Sequence, residues 1–476
     1  MDESSRAPLF VALDGALIRT STLCESLCGV LANEPRSIWR LLWTLRQGPT
    51  RFKAALARIW LPDARVLPYN SELLQYLRSQ RAAGRRIYLA TGATHRLATH
   101  IANYLQLFDG VIASDEACAQ VGDRKLEAIR ALAKSSDFSY VGSRRGDLRI
   151  WEAAAAGIVV GGPNSLTERV THVCRIEHTL ATTPVRASTY LRAIRVHQWV
   201  KNLLLFLPVL PVLTRANSEQ LTAVTLGFLA FCLCSSSFYI VNDLLDLQAD
   251  RIHLSKRRRP FASGELSIPQ GFVLAFFLLI GGLGLASVIS MRFTAIAGLY
   301  LLLTAMYSFG LKRIVLVDVL TLAGLYTVRV CAGAAAARVP LSFWILGFSM
   351  SLFVSLAFVK RYAEVCALKQ RGEQWIAGRG YHASDLELIQ MFGVCSGMIS
   401  VLILGFYIEQ SAAQLAFRHP IVLGLLCPLL LYWVCRVWMH AHRGIMDDDP
   451  TVFAIRDRIS RYLVLVAGVI VAAAAF

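Results

Sequence analysis

Two patterns of apolar and polar positions share this chain. In the first 185 or so residues, short apolar runs at 10–17, 87–93, 108–114, 138–143 and 157–162 each end in a polar turn. Between them, stretches such as NSELLQYLRSQRAAG and KLEAIRALAKSS carry apolar residues at helical spacing. Alternation of strand and helix predicts a parallel sheet with helices on both faces. Residues 22–70 fall between the first two strands and predict an inserted helical cap. From about residue 190 the pattern changes. Nine apolar stretches follow, centred near Phe206, Phe228, Leu279, Tyr300, Leu325, Phe348, Ser400, Leu429 and Ala467. Several carry about 20 apolar residues, enough to cross the hydrocarbon core of a bilayer. The expected architecture is an α/β soluble domain over 1–185 and an all-α polytopic membrane domain of about nine helices over 186–476.

Composition agrees. Of 476 residues, 55% are hydrophobic, and the mean hydropathy is +0.50. Both values point to a protein embedded in the bilayer. The net charge is +17, which in a membrane protein more often reflects basic cytoplasmic loops than a nucleic-acid partner, and basic residues do recur in alternate loops of the membrane part. One set of loops holds Arg251 and Lys256–Arg259, Lys312 and Arg313, Lys360 to Arg379, and Arg443 to Arg458. The other set is short and poor in charge. Basic loops stay in the cytoplasm, so the soluble domain and the basic loops are expected on that side and the C-terminus on the other. The N-terminus MDESSRAPLF lacks a basic segment followed by an apolar secretory core, in keeping with that side. No nucleic-acid-binding module accompanies the positive charge, so no nucleic-acid partner is expected. The eleven cysteines are scattered without zinc-site spacing and are expected to be free structural thiols. PRSIWRLLWTLRQGPTRFKAALARIW, in the cap, mixes Trp39, Trp43 and Trp60 with arginines. It suits either an anionic membrane surface or a solvated basic helix with a buried tryptophan stripe.

The most informative stretch is NDLLDLQADRIHLSKRRRP, residues 242–260. On one continuous helix Asp243, Asp246 and Asp250 would share a face, with Asn242 one turn before Asp246. Three crowded carboxylates repel and raise each other's pKa values. A hard cation such as Mg2+ offsets that charge and fills its remaining sites with phosphate or water oxygens. Lys256 to Arg259 follow at once, and arginine is suited to phosphate. Acidic groups at the end of a membrane helix are costly and usually functional.

The pattern N-D-x-x-D-x-x-x-D, continued through His253, Lys256, Arg259, Pro260 and Ala262-Ser263-Gly264, resembles the first aspartate-rich motif of the UbiA-type intramembrane prenyltransferases. The resemblance covers roughly residue 192 to the C-terminus. It implies an Mg2+-dependent transferase acting on a polyprenyl phosphate or diphosphate lipid. Within it, R-x-x-Q-W-V-K-N (Arg195 to Asn202), Y-S-x-x-L-K (Tyr307 to Lys312) followed by Asp318, and K-R-x-x-E (Lys360, Arg361, Glu364) resemble the decaprenyl-phosphate phosphoribosyltransferase branch. The usual second aspartate motif is absent from KRYAEVCALKQRG, which is basic and suits a phosphate better than a metal.

The roles so implied are these. Asn242, Asp243, Asp246 and Asp250 hold Mg2+ and the diphosphate, and Lys256 and Arg259 clamp phosphate. Lys201 and Lys312 neutralise a second phosphate, with Tyr307 beside them. Asp318 orients the acceptor, and Lys360 and Arg361, near Glu364, bind the lipid phosphate or the leaving group. An ordinary prenyl transfer to an aromatic acceptor is the alternative within the family, and a lipid transporter is the alternative outside it. Asp318 and Arg329 lie inside the fifth stretch, 11 apart and so about three turns along one face. Ionisable residues inside a span usually face an interior cavity and mark function, and a purely structural Asp–Arg arrangement is the other reading.

The soluble part resembles the haloacid dehalogenase-like phosphatases. Where that family has its nucleophilic aspartate, this chain has Ala12, although the second aspartate survives as Asp14. Thr91 and Lys125 match later motifs, and Gly142 to Asp147 lacks one of the usual acids. Without a nucleophile no aspartyl-phosphate forms, so a domain inactive as a phosphatase is expected.

Overall fold

The computed structural model describes residues 7–115, 119–134, 137–161, 164–180, 185–212, 216–370, 372, 374–375, 379–409, 417–446 and 450–475. They divide into two compact units, Met1–Ile194 with Tyr239–Ala275, and Arg195–Phe238 with Phe276–Phe476.

In the first unit, strands β1 (Leu9–Val11), β2 (Ile87–Thr94), β3 (Gly110–Ser114), β4 (Ser139–Gly142), β5 (Ala156–Val160) and β6 (Arg175–Leu180) form one sheet. The order is β3-β2-β1-β4-β5-β6, and every pairing is parallel. The α/β expectation holds. β1 is short because its apolar run turns at Asp14–Gly15, and Gly15 takes a φ of 85°. The side chains of β1 are fully buried between Phe138, Tyr140, Leu89 and Trp151. Helices α1 (Thr22–Asn33), α2 (Ile38–Leu45) and α3 (Pro49–Ile59) form the expected cap. Helices α4 (Ser71–Ala82), α5 (His95–Leu105), α6 (Asp123–Ala133), α7 (Leu148–Glu152) and α8 (Asn164–Val173) connect the strands, and α9 (Ala187–Ala193) closes this part of the chain.

The remaining helices are α10 (Ser218–Leu245), α11 (Leu247–Ile252), α12 (Ile268–Ile289), α13 (Met291–Phe309), α14 (Val317–Ala337), α15 (Phe343–Gln370), α16 (Leu386–Glu409), α17 (Leu426–His442), α18 (Pro450–Arg456) and α19 (Arg458–Ala475). Among the described residues, eight helical stretches are long and apolar enough to cross a membrane. They correspond to the second through ninth predicted stretches. The first, around Phe206, is a 17-residue 3-10 helix over Val196–Val212. Pro208 and Pro211 lie within it, and each removes a backbone donor that an α-helix would need. α14 packs on it at zero clearance: a Cβ on Gly333 would lie 1.9 Å from the Leu205 carbonyl oxygen. Among the described residues, the second unit buries apolar clusters around Phe231, Phe293 and Tyr300, around Phe358, Tyr362 and Trp438, and around Phe417, Leu423 and Ala474. Its spans leave large apolar side chains such as Phe277, Val288, Leu465 and Val469 exposed. A membrane span does so because lipid, not water, meets that surface.

Candidate functional site

The acidic segment begins in the last turn of α10. The expected single helix does not form: it breaks at Asp246, which caps α11 with φ −95° and ψ 14°. Asp243 and Asp250 are each 3% exposed, while Asp246 is exposed and Asn242 half-buried. The three carboxylates therefore do not share one face. Arg259 joins the two buried ones, its Nη1 donating to Asp243 Oδ1 at 3.0 Å and to Asp250 Oδ2 at 2.6 Å. Burial pushes the Asp250 carboxyl above its usual range. Arg259 pulls it back in part, and the charge of Asp243 adds to the rise.

Among the described residues, no three His, Cys, Asp or Glu side chains gather around a common metal position. Mg2+, however, commonly takes only one or two carboxylates and completes its shell with water and substrate phosphate. Asp243 and Asp250, converging on one guanidinium nitrogen, form a two-carboxylate set of that kind, with the arginine as the present counter-charge. Lys256 lies half-buried on the 3-10 turn that leads to Arg259.

Two further anchors of this segment have no signature in the sequence. Arg251, on α11, reaches the cap helix α1. Its Nη1 and Nη2 donate to Glu25 Oε2 at 3.0 Å and Oε1 at 2.6 Å, and its Nε to the Ala262 carbonyl. The two side chains are 5% and 1% exposed. Thr20 donates to the same Glu25 carboxylate. The donor and acceptor are 226 residues apart, which no local pattern reveals.

In the second unit a separate cluster gathers Tyr307, Asp318, Arg361, Glu364, Arg379 and Tyr381. Asp318 and Arg361 are both fully buried, with Nε to Oδ2 at 2.6 Å. This contact is an ion pair rather than an aligned hydrogen bond. The other Asp318 oxygen accepts from Tyr381 at 2.5 Å and from the Val319 amide at 2.7 Å. Arg361 also pairs with Glu364 and donates to Tyr307 at 3.1 Å. Arg379 stands 3.8 Å from Asp318 and 3.6 Å from Glu364. Four of the expected site residues thus meet. Arg379 and Tyr381, visible in the sequence as polar loop residues, join them because Tyr381 also accepts the Leu316 amide at the bend into α14, where Leu316 takes a φ of 66°.

Asp318 and Arg329 do not pair. Arg329 instead donates to Asn202 Oδ1 at 2.9 Å, to the Leu325 carbonyl at 2.7 Å and to the Tyr300 hydroxyl at 2.9 Å. Lys201, beside Asn202, has its ammonium 5.9 Å from the Tyr326 ring centroid. Lys312 is half-buried on the turn between α13 and α14, and Lys360 is half-buried one residue before Arg361. Asp447, Asp448 and Asp449, a further acidic run in the sequence, lie outside the described residues.

At the C-terminal ends of β1, β2 and β4 the α/β part of the chain brings its matching residues together but spends them on internal bonds. Asp14 accepts the Thr22 amide that opens α1, at 2.8 Å. Lys125 is buried against Tyr140 at 2.5 Å and Asp147 at 3.3 Å. Burial lowers the Lys125 pKa, and Asp147 opposes that shift. Ala12, in the nucleophile's place, is buried with no reactive group.

Comparison with known proteins adds three findings. A family model described as "UbiA prenyltransferase family" matches residues 205–453. The chain is 33% identical to "Uncharacterized protein y4nM" of Sinorhizobium fredii, over 96% of this chain and 89% of that one. It is 29% identical to a decaprenyl-phosphate phosphoribosyltransferase of Corynebacterium glutamicum, over 48% of this chain and 70% of that one.

Proposed function

Since the chain belongs to the UbiA prenyltransferase family, we propose that it transfers a phosphoribosyl group from phosphoribosyl diphosphate to a polyprenyl phosphate in the membrane. A lipid phosphate oxygen forms the new bond to the anomeric carbon. The bond from that carbon to the diphosphate oxygen breaks, and diphosphate leaves with the electron pair. Both phosphates are anionic, so the reaction needs positive charge set in place before the bond breaks. Arg259 and Lys256 supply it beside Asp243 and Asp250. These two carboxylates, with Asn242 and Asp246 at the edge, would hold Mg2+ together with the phosphates of the substrate. When bound, the ion neutralises the departing diphosphate.

The observation that carries the choice of donor is the cluster around Asp318. An ordinary prenyltransferase of this family pairs two acidic metal motifs. Here Asp318 and Glu364 are already neutralised by Arg361, with Arg379 beside both. That arrangement favours a single metal-binding set and leaves the second cluster to orient a phosphate-bearing acceptor through Arg361, Lys360 and Tyr307. The similarity to a phosphoribosyltransferase over 70% of its length supports the same reading. The degenerate phosphatase-like domain is, in this view, a non-catalytic part of the enzyme.

The test is a radiolabel assay on the full chain in lipid with Mg2+. One arm offers labelled phosphoribosyl diphosphate with polyprenyl phosphate, the other polyprenyl diphosphate with aromatic acceptors. Labelled lipid in the first arm alone is expected, and Asp243→Asn should lower it at least about 100-fold, the scale on which loss of a preorganised charge slows a reaction. Product in the second arm alone would overturn the phosphoribosyl reading.

A further inference from the structure

The cap hairpin uses only one side of its apolar surface. Leu41 of α2 is buried against Val30 of α1 and Leu56 of α3. On the same short helix Trp39, Leu42, Trp43 and Leu45 are 79%, 50%, 63% and 54% exposed. Four large apolar side chains exposed within seven residues are a patch, not scattered surface residues, and such a patch marks an interaction face.

Its surroundings name the partner. Residues 35–62 hold five arginines, one lysine and no acidic residue. Arg36, Arg40 and Arg46 flank the patch and are exposed, and the Arg46 guanidinium lies 5.2 Å from the Trp43 ring centroid. Tryptophan with arginine on a short amphipathic helix matches the boundary between acyl chains and anionic headgroups.

Position supplies an independent argument. α1 packs against this hairpin and carries Glu25, which is clamped by Arg251 at 2.6 and 3.0 Å. Arg251 comes six residues after Leu245, where the apolar helix α10 ends. A second seam reinforces the clamp. A Cβ on Gly264 would lie 3.0 Å from Arg19 Cβ and 3.4 Å from Pro68 Cβ, so the backbone after the acidic segment sits directly on the base of the cap. The cap is thereby fixed to chain that is leaving the membrane, within reach of the headgroups.

We infer that the α2–α3 hairpin is a foot on the membrane surface. Trp39, Leu42, Trp43 and Leu45 seat in the interface of an anionic leaflet, and Arg36, Arg40 and Arg46 meet lipid phosphates. The foot holds the cap, and through Glu25 the acidic segment, at a fixed height over the bilayer.

The inference does not depend on which group the enzyme transfers, and its test reads no activity. The full chain carries nine tryptophans. It is labelled with 5-fluorotryptophan and placed in nanodiscs of neutral lipid or of neutral lipid mixed with phosphatidylglycerol. Trp39→Phe and Trp43→Phe serve only to assign the two fluorine resonances. In the anionic discs both resonances should broaden when a nitroxide is carried on lipid near the headgroup, and should resist a water-soluble gadolinium chelate. Arg40→Glu should weaken the lipid broadening by roughly fivefold or more, the effect of about one basic residue near an anionic surface. Resonances broadened by the chelate and untouched by the lipid nitroxide would overturn the inference. So would resonances shielded from both probes, since the face would then be covered by protein such as a second copy of the chain.

Discussion

Asp318 has no water to turn to. It is fully buried, and its charge is offset by Arg361 and by donors from Tyr381 and the Val319 amide. Breaking one side of such a pair leaves an uncompensated buried charge and costs about 3–5 kcal/mol, whereas replacing both sides with apolar groups of similar volume is often neutral. Asp318→Asn and Arg361→Met alone should therefore each lower the thermal midpoint sharply, and the double variant Asp318→Leu/Arg361→Met should regain most of the loss. Transfer should stay absent in the double variant, because Arg361 is assigned to the acceptor phosphate. Recovery of turnover together with stability would show that the pair is only a scaffold. At this scale the sequence was informative about which residues matter and less so about whom they meet. Asp318 and Arg329 share a face of α14 but lie about three turns apart, too far to meet, and the packing of the 3-10 helix against α14 gives Arg329 to Asn202 and Tyr300.

At the level of elements, the join between α10 and α11 shapes the acidic segment. The motif spacing was legible, but a continuous helix would have kept three carboxylates together, and the break at Asp246 removes that crowding. What stiffens the broken segment is Arg251 on Glu25. Glu25→Ala strands a guanidinium that is 5% exposed, at a cost of about 3–5 kcal/mol. Faster hydrogen exchange at 247–252 is expected in that variant, with a smaller change in Glu25→Gln, which keeps an acceptor. Unchanged exchange in Glu25→Ala would mean that the segment is held by other contacts. Elsewhere, elements were found wherever their surface was one-sided. β6 escaped because RIEHTL is an edge strand whose side chains are mostly exposed, so it lacks the apolar run that marked the other five. The apolar spans were conspicuous because lipid demands the same composition along their whole length.

Across the whole six-stranded sheet, one network ties the distant edge strand to its centre. Arg85, before β2, donates to Glu177 of β6 at 2.8 and 3.3 Å, to Ser139 of β4 at 2.6 Å and to the Ala7 carbonyl at 2.9 Å. Burial alone would raise the Glu177 pKa, but hydrogen bonds from Arg85 and Tyr76 outweigh it and hold the carboxyl below its usual 4.5. A folded value below the unfolded one means stability that is present above about pH 4.5 and is lost as the pH falls through the folded value. The thermal midpoint of this domain, followed by scanning fluorimetry, should fall below pH 4.5 in the wild type. Glu177→Gln should start lower at pH 7 and show a flatter acid limb. Equal acid slopes in the two proteins would remove Glu177 from the account.

Synthesis of the chain imposes an order on the Glu25–Arg251 clamp. With 226 residues between the partners, and translation at about 5–20 residues per second, Arg251 leaves the ribosome roughly 10–50 s after Glu25. Small domains fold well within that interval. The cap therefore has time to fold, with Thr20 donating to Glu25, before the acidic segment leaves the ribosome, and the loop after α10 then has a surface to fold against.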